Sequence, residues 1–169
     1  MNPKDKINRA EGFATVDFLI VAVIVLIVAT YAWTAIMRAH QTSTLEGAAQ
    51  QFASFLDRAR SDSMRRRATD VRQMAEVTIL NEQFYTVRMD EDGDGALDVP
   101  RVINLQAQKI RIDGPYPRTF LFDRSGRYVD NGGNALSATY VTFGNGSGKS
   151  AVQISDTGNA SWGENTGKK

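Results

Sequence analysis

Residues 14–37 limit this chain more than any other stretch, because they are predominantly apolar and residues 18–29 show no polar face at any helical spacing. Twenty-four residues make about 36 Å of helix at 1.5 Å per residue, longer than the roughly 30 Å hydrocarbon layer of a bilayer. A helix packed on one side against the core of a modest soluble domain would carry a polar stripe. A secretory signal peptide would have a shorter apolar stretch and a small-residue cut site on its far side. The run therefore predicts a retained membrane helix. Tyr31 and Trp33 near its far end fit an aromatic belt at the membrane interface. Lys4, Lys6 and Arg9 precede the run and Arg38 and His40 follow it, so flanking charge orients the span only weakly. One carboxylate, Asp17, lies at the start of the run. An acid at mid-bilayer costs about 2.5–3.5 kcal/mol on insertion scales, which marks Asp17 as a candidate functional residue.

Composition removes several function classes. The 169 residues carry 20 Lys and Arg against 19 Asp and Glu, so there is no basic surplus for electrostatic nucleic-acid binding. Cysteine is absent, which excludes a disulfide framework, a thiolate nucleophile and thiol-based metal sites. His40 is the single histidine, leaving no His-ligated metal centre and no Ser-His-Asp triad in a folded domain. No coherent set of catalytic groups is present, and an enzyme is not expected.

Beyond residue 37 the apolar pattern becomes periodic. Leu45, Ala48, Ala49, Phe52, Phe55, Leu56, Ala59 and Met64 recur at three- and four-residue spacing, the stripe of an amphipathic helix. Gln50, Gln51, Asp57, Arg58, Asp62 and Arg65 fall on the other side. With no proline between Phe13 and Tyr85, one helix is predicted from the membrane to about Ala68, Gly47 being its soft point. Arg65, Arg66 and Arg67 suit a helix C-terminus, where cations complement the macrodipole. From Thr69 the text reads as strands: 77–80, 84–87, 101–105, 109–112, 119–122, 139–143, 151–154 and 160–162, separated by Gly, Asn, Asp and Ser clusters. Asn81-Glu82 is the expected hairpin turn between the first two. The fold class is α+β, a long N-terminal helix packed on a C-terminal antiparallel β-sheet domain. Its segments are a leader at 1–12, a membrane helix at 13–37, an amphipathic half at 38–68 and a β domain at 69–169.

The candidate metal site is the loop at 90–98. Asp90, Asp92, Asp94 and Asp98 occupy positions 1, 3, 5 and 9 of an EF-hand-like loop with Gly95 at position 6, an oxygen-only set suited to calcium. Position 12 is Arg101 in place of the bidentate Glu, so a solubilising turn stiffened by Asp and Gly competes with the calcium reading. The 144–150 stretch imitates a phosphate-binding loop but has Phe143 where the first Gly is required, and a strand follows it; a hairpin loop is expected there. Trp162 is expected to pack.

Gly12-Phe13-Ala14-Thr15-Val16-Asp17-Phe18 with the following run resembles the class III signal of type IV pilins and type II secretion pseudopilins. The resemblance implies cleavage by a prepilin peptidase between Gly12 and Phe13, N-methylation of Phe13, and Asp17 in the place of the family's usual Glu. The family's helix-interrupting Pro is absent. The freed amine of Phe13 would be largely protonated at neutral pH. It could pair with Asp17 of its own helix, four residues on, or with Asp17 of a neighbour in a staggered array. An acid snorkelling to the interface without a partner is the plain alternative. Leu56–Ser63 is similar to the helix ending of the GspH/FimT group of minor pilins, and 119–127 and 152–158 are similar to two of its strands, each closing on a glycine, Gly126 and Gly158. The implied partners are other pilins in a filament, the peptidase and an inner-membrane assembly platform. The implied location is the bacterial inner membrane with the head in the periplasm, then a pilus or pseudopilus. A Gly-Arg-x-Arg signature that some relatives use to bind DNA is missing, and nucleic acid is not an expected partner. A major pilin, or a pilin-anchored calcium-dependent binding and adhesion module, would fit the same features.

Overall fold

The computed structural model describes the backbone over residues 4–164 and the side chains over 17–163. Among the described residues one α-helix, α1 (Lys4–Arg66), precedes nine strands. They are β1 (Glu76–Ile79), β2 (Phe84–Arg88), β3 (Arg101–Asn104), β4 (Arg111–Asp113), β5 (Arg118–Phe122), β6 (Tyr128–Val129), β7 (Thr139–Asn145), β8 (Gly148–Ile154) and β9 (Ala160–Glu164). All pairings are antiparallel, in a five-stranded sheet of order β3-β2-β1-β5-β6 and a four-stranded sheet of order β4-β7-β8-β9. The α+β class holds, with the β part split into two sheets. The chain divides into two compact units, Met1–His40 and Gln41–Lys169.

In the second unit the apolar stripe of α1 is buried as its spacing predicts, from Leu45 through Phe52 and Phe55 to Ala59. It shares one core with Val77, Tyr85 and Phe120 of the first sheet and with Val141, Phe143 and Val152 of the second. Alternation does the sorting: β1 and β2 bury every second residue against the helix. Two positions depart from the predicted helix faces. Met64, expected in the stripe, is 41% exposed, and Asp62, expected on the polar side, is buried.

The helix stops at Arg66, two residues short of the prediction. Arg67 takes φ 52°, Ala68 N–H donates to the Ser63 carbonyl at 3.1 Å and Arg67 N–H to that of Met64 at 3.2 Å. This is the Schellman arrangement that satisfies the last helical carbonyls, and Ala68 then packs in a small cluster with Met74, Leu121 and Val129. Glycine ordinarily holds the left-handed position. Because Arg67 is exposed and makes no side-chain hydrogen bond with the described residues, Arg67→Gly is expected to stabilise the protein by about 1 kcal/mol, read as a raised urea midpoint.

Strand boundaries moved where non-local bonding decides them. β4 begins at Arg111 instead of Lys109, since Lys109 sits at φ 56° after a 3-10 turn at Gln106–Gln108. The β1–β2 connection takes four residues, 80–83, with Asn81 Oδ1 accepting from the Gln83 and Phe84 N–H groups. β7 and β8 extend into the expected 144–150 hairpin loop and leave only Gly146 and Ser147 in the turn, folded over the Asn145 side chain.

Candidate functional site

Two places hold the residues singled out by sequence. The first is the N-terminal unit. Among the described residues α1 is the one helix long and apolar enough to cross a membrane; its best window has a mean hydropathy of 2.6 and none of it is buried in the protein. Phe18 is 75% exposed, Leu26 67%, Tyr31 72% and Trp33 67%. The hydroxyls within the run are satisfied inside the helix: Thr30 Oγ1 donates to the Leu26 and Ile27 carbonyls at 2.8 Å, and Thr34 Oγ1 to that of Tyr31 at 2.9 Å. Such internal bonding is what a medium without hydrogen-bond partners requires. Asp17 is exposed at the beginning of the run. Gly12 and Phe13 lie outside the residues whose side chains are described.

The second place is the loop of residues 89–100 between β2 and β3. Asp90, Asp92 and Asp98 each offer a carboxylate oxygen within 4.8 Å of the others, whereas Asp94 stands outside this group. The loop is also bonded to itself. Asp90 is buried, and its carboxylate accepts from the Gly93 N–H at 2.6 Å and the Gly95 N–H at 3.1 Å. Asp98 accepts from Glu91 N–H at 2.7 Å, Asp92 from Asp94 N–H at 3.1 Å and Asp94 from Ala96 N–H at 2.7 Å.

A cation from the protein itself reaches this cluster. Arg65 Nη2 lies 2.9 Å from Asp90 Oδ2, 3.1 Å from the Asp90 carbonyl oxygen and 2.9 Å from Asp62 Oδ1. Asp62 Oδ2 in turn takes Arg66 and the Asp90 N–H. Burial opposes the charge on Asp90, but the two glycine N–H groups and the Arg65 guanidinium outweigh it and hold the carboxyl below the usual range. The position-1 oxygen of the calcium pattern thus already faces a guanidinium. Asp92 and Asp98 remain as the residues that could add an ion beside it. Neither Arg65 nor Asp62 was readable as a loop partner, since Arg65 fits a helix end and lies 25 residues from Asp90.

Two more turn carboxylates share the pattern. Asp123 is pushed up by burial but pulled further down by Ser125 and Arg127, and Asp130 is held low chiefly by Asn134. Each has a folded pKa below its unfolded value near 3.9, so its contribution is complete above about pH 4 and fades as pH falls through the folded value. Thermal midpoints should therefore be level from pH 7 to about pH 5 and fall below pH 4. Arg65→Ala is expected to make the acid limb shallower, because Asp90 loses the cation that lowers it.

No protein-family model, curated protein or solved structure matches the chain.

Proposed function

We propose that this protein is a filament subunit of the type IV pilin and pseudopilin kind, most like the GspH/FimT-type minor pilins. Its role is mechanical: a processed subunit at or near the tip of a pilus or a type II secretion pseudopilus. The observation that carries the reading is the uncovered apolar surface of α1 beyond Asp17. Such a surface needs either lipid or like helices around it. In the inner membrane lipid serves, with the head in the periplasm. In a filament, helices of neighbouring subunits replace lipid, and the Asp17 carboxylate meets the ammonium freed when a peptidase cuts between Gly12 and Phe13. Pairing offsets the cost of keeping an acid out of water.

The test has two parts. Mass spectrometry of the protein from its host should find a mature N-terminus at Phe13, N-methylated. Asp17→Asn should block incorporation into sheared filaments while Asp17→Glu retains it. A chain still beginning at Met1 in the filament fraction would sink the reading, and abundance in that fraction separates a minor from a major subunit.

The convergence of Asp90, Asp92 and Asp98 favours a second reading, a calcium-dependent binding module displayed on the same anchor. Calcium titrated into the chelator-treated full chain should then raise its thermal midpoint, and Asp92→Asn should abolish the rise. No heat and no shift in the unsubstituted chain would remove it.

A further inference from the structure

Within the Gln41–Lys169 unit, a groove of about 920 Å³ opens beside α1. Gln50, Ser54, Asp57, Arg58 and Ser61 form its helical side, three or four residues apart and so on one face. The edge strands of the two sheets contribute Ala160 and Trp162 from β9 and Arg101 from β3, and the start of the 89–100 loop borders the groove with Asp90 and Glu91.

The groove differs chemically from the turns. There Asp123, Asp130 and Asn145 each engage the backbone of their own turn. Here Gln50, Ser54, Arg58 and Ser61 make no side-chain hydrogen bond or ion pair with the described residues. Asp57 uses one oxygen on the Ala160 N–H at 3.3 Å, and its other oxygen makes no hydrogen bond with the described residues. Arg101 only approaches the Phe55 ring, at 6.0 Å. Trp162, expected to pack, is 45% exposed and has no aromatic neighbour among the described residues.

The geometry points to a binding site for a neutral oligosaccharide. Both donors and acceptors converge on the groove, as a polyhydroxylated ligand requires, and an indole face suits the C–H face of a sugar ring. Charge argues against polyions: Arg58, Arg65 and Arg101 are set against Asp57, Asp62, Asp90 and Glu91, with Arg65 already paired to Asp62 and Asp90. The polar helical floor likewise disfavours an apolar helix as occupant. The volume lies within the range of about 300–1,000 Å³ usual for ligand sites.

The test uses the full chain in a zwitterionic, non-glycoside detergent. Trp33→Phe leaves Trp162 as the sole indole, since the sequence has two tryptophans. Maltohexaose, cellohexaose and chitohexaose are titrated to about 10 mM while Trp162 emission is followed. At least one should give a saturable shift with a dissociation constant below about 1 mM. Asp57→Asn and Arg58→Gln should each weaken it about tenfold, the loss of one hydrogen bond to a charged group. Ser54→Phe, at an exposed position, should fill the groove and abolish the shift while the thermal midpoint stays unchanged. Emission indifferent to all three sugars, or a shift undiminished in Ser54→Phe, overturns the proposal. So does a response only to the peptide Ala-Ser-Phe-Gly-Glu, which would assign the edge of β9 to strand pairing.

Discussion

Phe52→Ala should lower the stability of the protein by about 3–5 kcal/mol, the range for a fully buried phenylalanine. Phe52 has no exposed surface, and its ring meets Tyr85 at 5.2 Å, Phe120 at 5.9 Å and Phe143 at 5.3 Å. Tyr85 and Phe120 belong to the five-stranded sheet and Phe143 to the four-stranded one, so a single side chain fastens α1 to both. Edge-on ring pairs add about 0.5–1.5 kcal/mol each beyond area burial. Backbone-paired strands cannot close in on the space left, which keeps the cavity cost high. Against a total of about 5–15 kcal/mol the loss is a large share. Urea unfolding of the full chain in detergent micelles measures it, and Phe52→Leu should cost less than half as much. Equal costs for Leu and Ala would mean that ring packing does not join the sheets.

That core was legible because its pattern is local. Three- and four-residue spacing places Leu45 to Ala59 on one face, and alternation places Val77, Ile79, Tyr85 and Val87 toward them. What escaped depends on partners distant in sequence. Asp62 sits among polar helix positions, and it is buried because the 89–91 backbone returns over it; Asp90 N–H donates to its carboxylate. The loop's aspartates were visible as a cluster, but their counterion comes from α1 and cannot be found by spacing. β6 has two residues, too few to show any period. Trp162 pairs with buried Val152, yet β9 is an edge strand, so its ring borders the groove instead of entering the core. The apolar run of α1 was fully readable, since it needs no tertiary partner to be recognised.

Gly158→Ala is expected to cost about 2–5 kcal/mol, although it adds one methyl group. Two separate penalties combine. Gly158 holds φ +80°, a left-handed conformation that costs an L side chain about 1–2 kcal/mol. A Cβ there would also run into the Gly126 carbonyl oxygen, and overpacking of this kind costs about 1–3 kcal/mol. Neither side can yield cheaply, because both are turn backbone. Gly126 is itself held at φ +79° between Asp123 and the α1 side chain of Arg60, whose Nε donates to the same carbonyl at 2.9 Å. The turn after β5 and the turn after β8 therefore meet glycine to glycine, one from each sheet, with α1 bonded at the junction. A spacer role explains why glycine closes both of these strand motifs. Gly163→Ala is the control: it has no atom within 4 Å of an added Cβ and no left-handed φ, and should change the unfolding midpoint little. If Gly158→Ala proved equally mild, the two turns would not be in the contact that locks the sheets together at this end.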